Sequence, residues 1–162
     1  MTNERDVTTL PDRANVFTPP PVLWIVLFII GLGFDYVIAL PFMPENWPSR
    51  WIGGAIWLAG ATIATIAIVQ FHRAGTSVPT HTPTTKIVES GLYAHSRNPI
   101  YIGALIALFG AAIAINSLWV LAMLVPFTII IRNGVIAREE AYLERKFGEA
   151  YVAYKGRVRR WV

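Results

Sequence analysis

Pro99-Ile-Tyr-Ile-Gly-Ala-Leu-Ile-Ala-Leu-Phe-Gly-Ala-Ala-Ile-Ala-Ile115 is followed by Asn116-Ser117 and then by Leu118-Trp-Val-Leu-Ala-Met-Leu-Val-Pro-Phe-Thr-Ile-Ile-Ile131. Two apolar runs without a charge, separated by a two-residue turn signal, predict a tight hairpin of membrane helices. Each run is slightly short for a perpendicular crossing of about 30 Å of hydrocarbon, and Pro126 should kink the second.

Working outward, two longer runs precede the hairpin. Val22 to Leu40 is bounded by Pro19 to Pro21 and by Pro41 and Pro44, and Trp51 to Phe71 follows a short link. Each is long enough to span a bilayer as a helix. Composition agrees: 54% of the 162 residues are hydrophobic, 15% are charged, six are Trp, and mean hydropathy is +0.48. This predicts an all-α integral membrane protein of about four transmembrane helices with a C-terminal cytosolic helix. Residues 1–21 carry Glu4, Asp6, Asp12 and four prolines and show no signal-peptide pattern. They are expected to form a mobile tail, with 22–162 a single transmembrane domain.

Charge places the ends. The net charge is +4, and no nucleic-acid partner is expected, because basic residues beside apolar runs mark the cytoplasmic face. Arg73, Lys86 and Arg97 lie in the second-to-third link. Arg138, Arg145, Lys146, Lys155, Arg157, Arg159 and Arg160 follow the fourth run, while Arg50 falls in the short opposite loops. Both termini and both polar stretches are therefore expected in the cytoplasm. Gly103, Ala107 and Ala111 on the third run, with Gly53, Gly60, Ala64 and Ala67 on the second, are spaced for close helix packing.

The polar residues left over are candidates for chemistry. The absence of Cys excludes thiolate zinc sites and cysteine nucleophiles, and His72, His81 and His95 lack metal-ligand spacing, so no metal is expected. Between Gly75 and Lys86 the Pro/Thr-rich link serves equally as a lid or as a plain connector. Arg97-Asn98-Pro99 opens the third helix, where free N–H groups and a guanidinium make an anion site. A snorkelling Arg beside an interfacial Tyr101 is the competing reading. Further on, Asn133, Ile136, Glu140, Leu143, Phe147 and Tyr151 share one helical stripe, so Glu140 should be desolvated and need a partner, either Arg97 or a bound cation. Glu139, a step round, is accounted for by a solvated face. Asp35, inside the first run, is either functional or hydrated at the far interface.

Gly91-x-Tyr93-x-x-x-Arg97-Asn98-Pro99-x-Tyr101-x-Gly103, followed by Glu139-Glu140-x-x-Leu143-x-x-x-Phe147-Gly148-x-x-Tyr151-x-x-Tyr154-x-x-x-Val158, resembles the integral-membrane methyltransferases. That group includes the isoprenylcysteine carboxyl methyltransferases and the phospholipid N-methyltransferases. The resemblance covers roughly Arg73 to Arg160. Asn98 stands where many members of the group have His. What it implies is S-adenosylmethionine in a cytosol-facing pocket, with Tyr93, Arg97, Asn98, Pro99, Tyr101, Gly103, Glu139 and Glu140 around the cofactor. Glu140, Arg97 and Arg157 would act on the methyl transfer. The acceptor would be lipophilic or lipid-anchored: a phospholipid amine, or alternatively a prenyl-type carboxylate. An NADPH-dependent membrane reductase and a non-catalytic membrane partner are the competing classes.

Overall fold

The computed structural model describes residues 12–14, 16, 18–80 and 83–162, and among them every regular element is helical. The first helix, α1 (Pro20–Val37), starts two residues earlier than its apolar run, with prolines at its first two positions. Their missing N–H groups would have no intrahelical partner there. The second, α2, spans Ser49–Arg73 and the third, α3, spans Pro99–Ile115. The fourth, α4 (Leu118–Phe147), is one long rod in several segments, and α5 (Glu149–Arg157) closes the chain. Three of these helices, α1, α2 and α4, are long and apolar enough to cross a membrane, whereas α3 is a shorter apolar helix.

The expected mobile tail falls mostly on residues outside those described. Of its described part, Ala14 and Val16 are buried in the main core, and the Ala14 N–H donates to the Pro79 carbonyl. His81 also lies outside the described residues.

Backbone contact joins α2 to α3. A Cβ added at Gly60 would collide with Ala107, one at Gly110 with Trp57, and one at Gly53 with Ala114. Lipid tails are as apolar as leucine, so helices in a bilayer gain from such close approach rather than from burial. By contrast, α1 buries only Leu23, Leu27 and Gly31, a stripe one residue wide, and Gly31 packs on Val120 of α4.

The hairpin turn is latched to the α1–α2 link. Asn116 adopts the left-handed conformation (φ 58°) that ends α3, and its side chain accepts from the Phe42 and Met43 N–H groups and donates to the Met43 carbonyl. Ser117 caps α4 and donates its hydroxyl to Asp35 Oδ1 at 2.8 Å. Asp35 thus has a structural partner across the bundle.

Two interruptions shape α4. Helix geometry loosens at Met123, next to the Ala122 carbonyl that the Pro126 ring would otherwise strike. Residues Ile131–Ile136 then form a π-helical turn. That wider turn rotates everything after it and corrects the simple periodic expectation. Asn133 is exposed, while Glu139, Glu140 and Tyr142 are all buried. The sequence had assigned Glu139 to a solvated face; the π turn carries it inward. Gly148, at φ 53°, then breaks the rod and sends α5 back beneath the link between α2 and α3.

Backbone contact at the α2–α3 crossing makes a sharp prediction. Gly60→Leu or Gly110→Leu should lower stability in detergent by at least about 1–3 kcal/mol, the usual cost of overpacking. Gly54→Leu, with open space around its Cβ position, should leave the melting temperature nearly unchanged. Thermal unfolding of the three variants checks this.

Candidate functional site

Where α3 begins and α4 turns polar, three segments meet over one pocket. A short 3-10 turn (Gly91–Ala94) and the 96–98 link lead into α3. Gly91 takes φ 63°, and its lack of a side chain lets Gln70 approach and accept from the Leu92 N–H. Tyr93 is buried edge-on against Phe71, with ring centres 5.0 Å apart. Pro99 sits at the first turn of α3, and Tyr101 one turn on donates its hydroxyl to Glu139 Oε1 at 2.8 Å.

The two acids have different partners. Glu139 has the Tyr101 phenol, whereas Glu140 lies between two guanidiniums. Arg97 Nη2 stands 3.3 Å from Glu140 Oε1, both side chains being about nine-tenths buried. From the other side Arg160 donates Nε to Oε1 at 3.1 Å and Nη2 to Oε2 at 2.6 Å. A desolvated carboxylate needs this kind of compensation. Arg97 nevertheless keeps capacity in reserve: its Nε and Nη1, and the Tyr93 hydroxyl, are buried with no hydrogen-bond partner among the described residues.

Arg160 is held by backbone as well as charge. The Arg97 N–H donates to the Arg159 carbonyl, and Ser96 Oγ and Asn98 Nδ2 both donate to the Arg160 carbonyl. The Asn98 amide is therefore engaged with the C-terminal segment, although Asn98 still borders the pocket. Gly103 faces α2, against Gly60 and Ala64, and is not part of the pocket lining. Arg157 is also elsewhere: its guanidinium, 65% exposed, pairs with Glu89 at 2.6 Å. Of the sequence-derived candidates, the structure thus brings together Tyr93, Arg97, Asn98, Tyr101, Glu139 and Glu140. It leaves Pro99, which starts the helix without lining the pocket, Gly103 and Arg157 outside. Arg160, Tyr151 and Tyr154 complete the surroundings; only the tyrosines carried a spacing signal.

The Pro/Thr link covers the pocket. Val78, Pro79, Thr84 and Lys86 line it, and the link is tied down at several points. The Thr84 N–H donates to the Tyr142 hydroxyl at 3.1 Å, the Thr84 hydroxyl to the Ser77 carbonyl, and the Thr85 N–H to Thr76 Oγ1. Tyr142 in turn donates to Asp12, which also pairs with Lys146. Beneath this cover the enclosed volume is about 50 Å³, room for a few waters.

Burial pushes the phenols of Tyr93, Tyr151 and Tyr154 well above the ordinary tyrosine range. Glu139 adds to the rise at Tyr93 and Glu140 at Tyr151, while the Arg97 guanidinium opposes it at Tyr151 and Tyr154. These three rings stay neutral and offer aromatic faces and hydroxyls rather than charge. Tyr154 donates its hydroxyl to the Tyr93 carbonyl at 2.8 Å.

Residues 48–150 match the family model described as "Phospholipid methyltransferase". A protein of Haemophilus influenzae described as uncharacterized is 51% identical over 47 residues, which is 29% of this chain and 73% of the relative. No solved structure matches.

Arg160 and Arg157 lie three residues apart and should behave differently. Arg160→Ala should cost about 1.5–3 kcal/mol, the range for a hydrogen bond to a buried charged group. Arg157→Ala, which removes an exposed pair, should cost about 1 kcal/mol at most. Equal melting temperatures for the two variants would count against the closure by Arg160.

Proposed function

The chain belongs to the phospholipid methyltransferase family, and on that premise we propose that it transfers a methyl group from S-adenosylmethionine to a phospholipid amine at the cytoplasmic membrane surface. The observation that carries this reading is the pairing of a buried cation with unused donor capacity, Arg97, and a buried acid, Glu139, that has no cationic partner among the described residues.

The residues fit the donor chemically. Nε and Nη1 of Arg97 are suited to its amino-acid carboxylate, and the Tyr93 hydroxyl offers a further contact. The neutral faces of Tyr93, Tyr101 and Tyr151 suit a sulfonium. When bound, S-adenosylmethionine supplies a methyl group already activated by positive sulfur. The pocket volume is far below the roughly 300–1,000 Å³ of drug-sized ligand sites. The 75–90 link must therefore lift to admit the donor and settle again to exclude water. This favours the lid over the plain connector.

A protonated amine is no nucleophile, so the acceptor must first lose a proton. Glu139 is the base in this reading: it is buried, and among the described residues its one hydrogen bond comes from a phenol. Glu140, neutralised by Arg97 and Arg160, instead fixes the orientation of Arg97. Lys86 at the pocket edge is placed to accompany the acceptor's phosphate. A carboxylate acceptor would need a cation and no base, which makes Glu139 the residue that favours the amine.

The same reading has α1, α2, α3 and α4 all crossing the bilayer, with α3 tilted or set in a thinned region. In this reading the pocket and both termini face the cytoplasm, which the basic residues around the pocket support.

Calorimetric titration of the detergent-purified protein with S-adenosylmethionine should show saturable binding and NADPH should show none. Arg97→Ala should weaken the donor about 10- to 100-fold, the loss expected for a charge-assisted hydrogen bond. Glu139→Gln should retain donor binding and lose turnover on phosphatidylethanolamine, and full turnover in that variant would remove it as the base. Topology has its own check, since the chain has no native Cys. In intact cells Glu45→Cys should react with a membrane-impermeant maleimide, and Glu149→Cys should react only after permeabilisation.

A further inference from the structure

We propose that the cleft running along α3 between α1 and α2 binds one hydrocarbon chain of the methyl acceptor and delivers its head to the pocket past Tyr101. This rests on the methyl-transfer reading above and extends it to the part of the acceptor that does not react.

The cleft exists because α2 packs on α3, while α1 packs chiefly on α4 through Gly31 and Val120 and touches α3 through Trp24. Ala104 and Ala107 form its floor, and Trp24 and Trp57 stand on its walls. Trp24 is fixed there by donating Nε1 to the Ala104 carbonyl at 3.1 Å. Small floor residues and rigid aromatic walls leave a volume of about 480 Å³. Polar groups are nearly absent from its surface; Thr80 lies at the upper end, and the Tyr101 hydroxyl is engaged with Glu139.

Continuity identifies the occupant. Val78, Ile100 and Tyr101 line both this cleft and the polar pocket, so the two spaces are separated by little more than the Tyr101 ring. From Ile68 near the pocket to Trp57 the cleft follows eleven residue steps of α2, about 16 Å at the helical rise. A single extended alkyl or acyl chain suits that length and the nearly unbroken apolar lining, and its head then falls at the polar pocket. The direction is also right: the cleft opens at the pocket end of α1, α2 and α3 and descends toward the middle of the bundle, as a lipid tail does from its head.

The design gives the acceptor an apolar anchor remote from the reacting nitrogen. Binding energy from such an anchor can hold the head in place for transfer. Chain length should therefore matter to turnover even though the chain takes no part in the chemistry.

The test compares dioleoyl- with dihexanoyl-phosphatidylethanolamine as acceptors for the purified protein in mixed micelles. Ala104→Phe fills the floor, and Ile68→Trp narrows the upper end without touching the α2–α3 contact. Both should lower kcat/KM for the dioleoyl acceptor about tenfold, equivalent to displacing two methylenes. Turnover of the dihexanoyl acceptor should fall much less, because its chains fill little of the cleft, and calorimetric affinity for S-adenosylmethionine should not change. Val125→Phe, on an exposed face of α4, should change nothing. Unaltered dioleoyl turnover in both cleft variants would overturn the proposal.

A second arm does not depend on activity. Phosphatidylethanolamine carrying a diazirine in one chain should label residues 100–107 and 57–68, and excess dioleoyl-phosphatidylethanolamine should displace it. Label spread equally over Ile29 and Val125 would mean annular lipid only, and a dimer dissociated by Ala104→Phe would mean a second copy; either sinks the idea. Absence of donor binding in the wild type, with cleft labelling intact, would instead refute the methyl-transfer reading and leave the lipid site standing.

Discussion

Contact between the backbones of α2 and α3 is the constraint on which the remaining architecture depends. Gly53, Gly60, Gly103 and Gly110 leave no room for a side chain on either surface, so the two helices hold one register. That register carries the end of α2, and hence the start of the covering link, to the same level as Arg97 and Tyr101 at the start of α3. Since α1 packs chiefly on α4, by Gly31 against Val120, a cleft is left between α1 and α2. Both the polar pocket and the apolar cleft are thus by-products of two helices brought unusually close.

The second organising feature is electrostatic. Two acids adjacent in sequence enter one buried site, yet they are compensated in different ways. Glu140 receives guanidiniums from either side; Glu139 receives a single phenol. Burying a charge without a partner is far more costly than burying a paired one. The difference in partners therefore separates an acid neutralised by cations from one held, among the described residues, by a phenol. It also leaves Arg97 poised, since one nitrogen serves Glu140 while two remain for a ligand.

Much of this could be read from the chain. The four apolar runs, the turn at Asn116-Ser117 and the small residues at the α2–α3 crossing all follow from local pattern. Arg97 near Glu140 was one of two partners the stripe left open. What could not be read came from geometry that breaks the period. Glu139 looked solvated because 3.6 residues per turn puts it off the apolar stripe; the π turn at Ile131–Ile136 moves it. Arg157 and Arg160 look alike in a basic tail, and only the return of α5 after Gly148 decides which one reaches Glu140. Gly103, which the resemblance grouped with the cofactor, points to α2, in line with its place among the small packing residues. Asp35 acquires its partner, Ser117, from an element 82 residues away.

The union of Glu140 with Arg160 also sets an order of events during biosynthesis. The acid is made twenty residues before its partner, an interval of about one to four seconds at ordinary elongation rates. Until Arg160 has been added, Glu140 lacks the two guanidinium hydrogen bonds that compensate its burial from that side. Translation therefore makes the apolar framework of α1 to α4 before the charged chamber can close.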